Sequence, residues 1–516
     1  MPVNDGSWPL TLLPGDEPGK LKFVGSALAE RFTRELAESL EGLLTHNLYP
    51  EGSAEPGFAS ASAPGRVCEG QCWTRDAGTL LRELVQWGWL GHAAMEARAL
   101  MRLVRPNAAG FCSYPMYFVP GTPAAGDELD GTGNVVISLV LLWRRLAESD
   151  PLRRQIQDFL TAPSSPLFYF HHVLGASPLI PGHGEFGGGM WVDGLHMNVV
   201  QNGLCRLALL AGASVVEASG DGATARRHRA AATRLAENMA KYLTAPDGGW
   251  TWCVDPRTLR PDPTVLNAKA NIGFGGINGV TCMQSDVLGF EPNGLDWHGL
   301  TQGTRTLERL AAESYRRDLF ARYGMWPQFG FPHHDHLTSP SYGQGYAIQT
   351  MLLLDRLDEA ERALTYLIEA TYAPPEGYKV DRASQYWFYE RMLAPEFPNI
   401  REFDQGCGAL ALVNVCEPLK VGRLIAGIDD TQADQVLIRP RIPGHWQGYQ
   451  AENWPILAGW RLLRADVAVK RTNGQWELSL SVGGGGSIPR LAVQWDAKAA
   501  RQVFANVRHL KTTASA

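Results

Sequence analysis

The sequence contains little of what marks several large classes of protein. It has no run of lysine or arginine, and 53 acidic residues outnumber 47 basic ones, which gives a formal net charge of -6. Such a chain has no electrostatic footprint for nucleic acid or for an anionic membrane surface. The N-terminus lacks a signal-peptide pattern, and no apolar run approaches membrane-spanning length. We therefore expect a cytoplasmic protein whose partners include neither nucleic acid nor membrane.

Cysteine is sparse and scattered. Of eight cysteines only Cys68 and Cys72 lie close together, and no second pair completes the spacing of a metal site. This distribution is typical of small buried residues in a reducing compartment. Phosphate-binding, dinucleotide-binding and G-x-S-x-G motifs are also missing. The sequence His-His-Asp-His at 333–336 could rarely direct all its side chains at one ion, so we predict no metal and no other cofactor. Substrate hydrogen bonding or simple surface placement fits these histidines better, and His334 is our candidate for the former.

Tryptophan is the residue present in excess. The 516 residues include 16 Trp, together with 55 Gly and 33 Pro. Tryptophan in such number either fills a large helical core or offers flat faces on which sugar rings stack. The length predicts two or three domains.

Amphipathic helices dominate up to about residue 420. Over 26–44, apolar residues recur at steps of three and four and so share one helical face. Related patterns predict helices over 77–104, 133–148, 195–213, 222–243, 299–317, 343–355, 357–371 and 405–418. Long loops rich in Gly, Pro and aromatic residues, such as 105–132 and 162–193, separate them, and loops of this length are usually functional. This order favours a toroid of helical hairpins around a central cleft.

The last hundred residues change to short β-rich runs. Over 476–482 apolar and polar residues alternate, as in a half-buried antiparallel strand. The Thr-Asn-Gly at 472–474 predicts a hairpin turn, and the Gly-rich 483–487 predicts a flexible hairpin loop. We predict an N-terminal extension (1–24), a helical catalytic domain (25–420) and a C-terminal antiparallel β-sandwich (421–516).

Carboxylates and aromatic residues concentrate in the predicted loops. Glu69 and Trp73 precede Arg75 and Asp76 at the start of a helix. Arg75 and Asp76 alone could form a helix cap with a salt bridge, but Glu69 and Trp73 are more than a cap requires.

A second segment combines a run of glycines with Trp191, Asp193 and His196. The glycines allow backbone to approach a ligand closely, and Trp191 offers a stacking face. Asp193 could act on a substrate or cap the helix that follows.

In a third segment, Trp387 and Glu390 lie among aromatic residues, and Glu402 follows. A carboxylate in such a pocket has a pKa raised by desolvation, although Glu390 could instead form an ion pair with Arg391.

Carboxylates from separate loops in one cleft suit glycoside hydrolysis. One carboxylic acid protonates the leaving oxygen and one carboxylate activates water, with a gap of about 6.5–9.5 Å for inversion and about 5–5.5 Å for retention.

Two resemblances sharpen this interpretation. Glu69–Ala77 resembles the E-R-x-G-W-x-G-D-A signature of α-L-rhamnosidases of the six-hairpin class, which implies an (α/α)6 barrel, Glu69 as general acid and Asp76 as a sugar contact. The segments 387–391, 403–409 and 424–428 are similar to later motifs of that family, and this similarity implies Glu390 as general base.

The segment Met190–Met197 resembles W-V-D-G-L-Y-M of unsaturated glucuronyl hydrolases. That resemblance implies Asp193 as the proton donor, so Glu69 and Asp193 remain alternative acids. The Arg75–Asp76 pair is also similar to one that grips the terminal sugar in glucoamylase-like enzymes.

We predict an exo-acting, inverting glycoside hydrolase of oligosaccharides or glycosides. Trp73, Arg75 and Asp76 would position the terminal sugar, and Trp191, His196, Trp387 and Glu402 would line the cleft. Hydration of an unsaturated uronyl group, a polysaccharide lyase with a Tyr or His base, and a non-catalytic carbohydrate-binding protein are the alternatives. The sequence predicts no particular oligomeric state.

Overall fold

A computed structural model shows the fold of most of the chain. It describes residues 7–62, 64, 68–182, 196–251, 253–261, 298–312, 344–372, 412–432, 434–496 and 499–515.

Helices account for more of the described chain than strands do. They are α1 (Ala27–Gly42), α2 (Thr74–Trp87), α3 (Leu90–Leu103), α4 (Leu129–Arg145), α5 (Pro151–Thr161), α6 (Pro166–Ala176), α7 (Val199–Ala218), α8 (Gly222–Tyr242), α9 (His298–Ala312), α10 (Gln344–Leu353), α11 (Leu357–Tyr372) and α12 (Leu412–Ala426). A π-helical turn, Leu43–Asn47, continues α1.

The helices lie in two layers. All 17 residues of α4 are buried, and α2 is buried at every position except Asp76. Helix α2 packs on α4 and on α12, α4 packs on α7, and α10 packs on α12, so these helices form the inner layer. Helix α5, in contrast, buries Leu152, Ile156 and Leu160 on one face only, as an outer helix does.

Glycines let the inner helices approach closely. A Cβ atom on Gly78 of α2 would lie 2.9 Å from the backbone nitrogen of Val135, and one on Gly133 of α4 would lie 2.9 Å from the carbonyl carbon of Leu204. Glycine within a helix costs about 1 kcal/mol relative to alanine. The close packing of α2, α4 and α7 offsets this cost, because a larger residue would push the three helices apart.

Helix α7 shows how complete the burial is. By length and composition alone this helix could cross a membrane, although we expected no apolar run of that length. Of its most apolar 18-residue stretch, 94% is buried inside the protein. It is therefore a core helix of the inner layer.

Several helical predictions were wrong. The segment 77–104 forms two helices because Gly88 ends α2 in the left-handed region (φ 87°). Helix α6 lies in the segment 162–193, which was predicted to be a loop. The helix was missed because its aromatic-rich sequence has no helical periodicity. Helix α12 continues past Pro418 to Ala426, although a proline would ordinarily end a helix there.

The strands are mostly C-terminal. They are β1 (Lys20–Val24), β2 (Cys72–Trp73), β3 (Tyr117–Phe118), β4 (Met197–Asn198), β5 (Cys253–Val254), β6 (Ile428–Asp429), β7 (Val436–Ile438), β8 (Gly448–Ala458), β9 (Arg461–Thr472), β10 (Gln475–Val482), β11 (Ile488–Val493), β12 (Gln502–Val507) and β13 (His509–Ser515). One sheet has the order β1-β8-β9-β10-β13 and the other β12-β11-β7-β6.

Of the two hairpin connections predicted between these strands, one is correct and one is wrong. Asn473 and Gly474 both have positive φ (50° and 76°) between the paired residues Thr472 and Gln475, as a two-residue hairpin requires. The Gly-rich 483–487 is not a hairpin loop, because it connects β10 to β11 in the other sheet. Strand β1, from the predicted N-terminal extension, pairs with β8.

A buried ion pair joins the helices to the strands. Arg145, near the end of α4, donates to both carboxylate oxygens of Asp430 at 2.9 and 2.7 Å, and to Gln86 of α2 at 2.9 Å. Asp430 also accepts from the backbone N–H of Leu457 in β8 at 2.7 Å. Both charges are thus paired and hydrogen-bonded, as burial requires.

Glu96 of α3 is a buried carboxyl of a different kind. It is fully buried beneath β2, and within the described chain neither of its oxygens has a hydrogen-bond partner. Burial raises the pKa of Glu96 well above its usual range. Its carboxyl group is therefore held in the protonated form more readily than that of an exposed glutamate.

We expect Gly133→Ala to lower the free energy of unfolding by about 1–3 kcal/mol, because the added methyl group overpacks the α4–α7 contact. Gly175→Ala in α6 is the matched control, since nothing lies within 4 Å of its Cβ position. Calorimetric melting of both variants checks this, and an equal response of the two would contradict the close-packing argument.

Glu96→Gln tests the buried proton. Because the folded pKa of Glu96 is raised, its contribution to stability is complete below the unfolded pKa and is lost as pH rises through the folded pKa. Between the unfolded and the folded pKa, the free energy of unfolding of the wild type should fall by about 1.4 kcal/mol per pH unit relative to that of Glu96→Gln. Melting curves from pH 5 to 9 measure the difference. Glu237→Gln on the exposed side of α8 should instead follow the wild type, and parallel profiles for all three proteins would refute the assignment.

Candidate active site

Arg75 is the centre of a charged cluster where α2 and α4 begin. Its Nη1 lies 3.2 Å from Oδ2 of Asp130 and 4.0 Å from Oε1 of Glu128, and its Nε lies 3.8 Å from Oδ1 of Asp76. The side chains of Arg75, Glu128 and Asp130 are at most 5% exposed, whereas that of Asp76 is 14% exposed. One guanidinium thus holds three carboxylates at the end of the barrel where the inner helices start.

Hydrogen bonds between α2 and α4 fix the position of Arg75. The side-chain amide of Asn134 donates to the backbone oxygen of Arg75 at 2.7 Å and to the hydroxyl of Thr79 at 2.8 Å. The hydroxyl of Thr74 lies 2.8 Å from the carbonyl oxygen of Pro115 and 3.2 Å from the carboxylate of Glu128. The backbone that carries Arg75 is therefore held from both sides.

Tyr346 of α10 lies near this cluster, with Glu417 of α12 beside it. Tyr346 and Glu417 are 1% exposed, and a Cβ on Gly345 would collide with Glu417, so the two helices meet closely here. Burial is the main cause that raises the pKa of Tyr346 well above its usual range, and the negative charge of Glu417 adds to it. The positive charge of Arg75 acts in the opposite direction. The phenol is thus a neutral hydroxyl close to Arg75.

Aromatic residues stand beside the cluster on the β2–β3 ladder. Trp73 pairs with Tyr117 across the two strands, and their rings stack with centroids 5.5 Å apart. Cys72 and Phe118 point the other way and are buried. Strand β2 leads directly into α2, so the stacked rings adjoin the start of that helix.

The predicted site residues divide into three groups. Trp73, Arg75 and Asp76 lie together at the start of α2. Glu69 is exposed on the turn before β2, and its charge adds to burial in raising the pKa of Tyr49. His196 is buried just before α7, where its backbone oxygen accepts from Gly182 at 2.6 Å. The others lie outside the described residues: Trp191, Asp193, His334, Trp387, Glu390 and Glu402.

Sequence reasoning missed Glu128, Asp130, Tyr346 and Glu417. The first two fall in a segment assigned to a loop, although acidic residues just before a long apolar stretch are a helix-start signal. Glu417 is a lone carboxylate in a nearly apolar helix, which is itself a sign of function or of a specific partner. Among the described residues, no group of three His, Cys, Asp or Glu side chains could hold a metal ion.

Comparison with known proteins rests on structure alone. No family model matches the chain, and no curated protein matches it in sequence. A GH78 family rhamnosidase of Bacillus sp. GL1 is similar with a TM-score of 0.60 and 14% identity, over 95% of this chain and 43% of that one. An α-L-rhamnosidase from Dictyoglumus thermophilum gives 0.56 and 10%, over 93% and 45%.

A putative kojibiose phosphorylase from the human microbiome is also similar, with a TM-score of 0.54 and 9% identity over 97% of this chain and 67% of that one. The chain spans less than half the length of the two rhamnosidases. At these identities the similarity concerns the fold. The chain therefore has an (α/α)6-barrel fold with a C-terminal β-domain, and the predicted fold is confirmed. The described strand pairs of that domain are antiparallel except β7–β11, which is parallel.

Proposed function

We propose that the chain is an exo-acting glycoside hydrolase that releases a terminal sugar with inversion. The observation that carries the proposal is Arg75, held between Asp76, Glu128 and Asp130 where the inner helices begin. Carboxylates and a guanidinium fork are the groups that bind the paired hydroxyls of a sugar, because each offers two parallel hydrogen-bonding atoms. Asp76, the most exposed of the three carboxylates, is the one that a ligand reaches first.

Catalysis in this proposal needs one acid and one base from the surrounding loops. Glu69 or Asp193 protonates the glycosidic oxygen, and Glu390 removes a proton from the water that attacks the anomeric carbon. The exposed position of Glu69 lets a substrate reach it directly from solvent. Asp193 and Glu390 enter through the family resemblances.

Binding of the terminal sugar is assigned to the remaining residues. Trp73, Arg75 and Asp76 position it, and Trp191, His196 and Trp387 line the cleft, with Glu402 and His334 as hydrogen-bonding groups. Two of the structural neighbours are rhamnosidases, so α-L-rhamnosides are the first substrates to test, followed by glycosides of uronic acids.

A screen of aryl glycosides and unsaturated uronyl disaccharides tests the activity. We expect release of one terminal sugar, whose anomer in early NMR spectra is opposite to that of the substrate. Glu390→Gln should reduce turnover by at least a thousandfold without changing the melting temperature, because water then lacks its base.

Glu69→Gln and Asp193→Asn, measured beside it, separate the two acids. The variant that lacks the true general acid should regain its hydrolysis rate on substrates whose leaving group needs no proton. No hydrolysis of any glycoside by the wild type would refute the proposal, and a product with a new C4–C5 double bond would favour a lyase.

Arg75→Lys tests the sugar-binding role. Lysine keeps the charge but cannot form the bidentate fork, so kcat/KM should fall at least tenfold, mainly through KM. Arg423→Lys is the control, because Arg423 forms a bidentate pair with Glu83 (2.8 and 2.6 Å) and is not assigned to the site. Steady-state kinetics with melting curves distinguish binding from stability, and equal kcat/KM in both variants would remove Arg75 from the role.

A further inference from the structure

The β2–β3 ladder presents an apolar face to solvent beside the charged cluster. Tyr117 and Val119 are two residues apart along β3 and its continuation, so their side chains point to the same side. Tyr117 is 42% exposed and Val119 41% exposed, whereas Phe118 between them is buried. Trp73, opposite Tyr117, completes this face. We call these three side chains the rim face.

The rim face is rigid. The Trp73 and Tyr117 rings are stacked at an interplanar angle of 27°, and the indole nitrogen of Trp73 donates to the side-chain oxygen of Gln71 at 2.9 Å. The backbone N–H of Thr74 donates to the carbonyl oxygen of Met116 at 3.1 Å, which fixes β3 against the start of α2. A ligand that stacks here therefore pays little for ordering the rings.

Folding does not require an exposed tyrosine at this place. Phe118 and Cys72 already fill the buried side of the ladder, and a polar residue would serve on the outer side. Single exposed apolar residues are common on proteins, whereas neighbouring apolar side chains rimmed by polar groups are typical of a binding surface. The tyrosine hydroxyl and ring together suit a ligand with one flat apolar face and polar edges.

The position of the rim face indicates which part of a substrate meets it. Arg75, Glu128 and Asp130 are buried, and Asp76 is partly exposed at the edge of the cluster, where the proposed function places the sugar that is released. Tyr117 is exposed and lies on the loop between α3 and α4 that ends at Glu128. Under the proposed function, the rest of an exo-cleaved substrate extends from the cluster toward solvent, on the side where Tyr117 is exposed.

We propose that Tyr117, whose ring is held in place by its stacking on Trp73, stacks on the leaving group of the substrate, a ring with a flat face of C–H or aromatic carbon. This inference rests on the proposed glycosidase function. It makes Tyr117 a specificity-determining residue for the group attached to the released sugar. An aryl group and a second sugar ring share this chemistry.

The test compares Tyr117→Ala and Tyr117→Phe with the wild type on methyl, p-nitrophenyl and disaccharide glycosides of one terminal sugar. The ratio of kcat/KM for a ring-bearing substrate to that for the methyl glycoside should fall about fivefold to tenfold in Tyr117→Ala, and should stay within twofold in Tyr117→Phe. A fall confined to the aryl substrate or to the disaccharide identifies the leaving group.

Trp460→Ala is the matched control, because Trp460 is 54% exposed on the β8–β9 turn and belongs to neither the cluster nor the rim face. Its substrate ratios should equal those of the wild type. An unchanged ratio for both ring-bearing substrates in Tyr117→Ala overturns the inference.

A direct binding measurement distinguishes a failure of this inference from a failure of the proposed function. Calorimetric titration with the p-nitrophenyl glycoside should show saturable binding that Tyr117→Ala weakens at least fivefold, even if the wild type hydrolyses nothing. Equal binding by both proteins, or no saturable binding by the wild type, contradicts the rim face as a ligand site.

Discussion

The close contact of neighbouring inner helices determines where every polar group of the site lies. Gly78 and Gly133 bring α2, α4 and α7 together until their backbones touch. At that separation Asn134 can bridge to the backbone of Arg75, and Asp130 can reach the guanidinium. The charged cluster is therefore a product of helix packing, and its geometry is as rigid as the helices themselves.

Burial also sets the chemical character of the lumen. Arg75, Glu128 and Asp130 would each be costly to bury alone, and their proximity offsets part of that cost. Tyr346 stays neutral in the same surroundings, so one end of the barrel combines fixed charges with an uncharged hydroxyl. This mixture suits a ligand rich in hydroxyl groups better than one that carries a single strong charge.

The sequence predicted the elements with strong local periodicity and missed those that depend on distant partners. The helix over 357–371 was placed within a residue of α11, because its apolar stripe is continuous. Strand β8 was missed because a register shift between Ala451 and Trp454 breaks its alternation, and its buried C-terminal half reads as uniformly apolar. The start of α4 was placed at residue 133 instead of Leu129, because the segment up to 132 was assigned to a loop, whereas Gly131 lies within the helix and packs closely against Thr74. Arg75 and Asp76 were found because they share one short motif with Glu69. Asp130, Tyr346 and Glu417 reach them from other helices, which no local pattern reveals.

The pairing of β1 with β8 has a consequence for how the chain is made. Val24 lies opposite Gly448, so more than 400 residues separate the two partners of one sheet. Ribosomes add about 5–20 residues per second, so roughly 20 seconds or more pass before β8 emerges. Until then β1 is a nascent strand with an open edge, which is a hazard for association between chains. Its two lysines and short length reduce that hazard while synthesis continues.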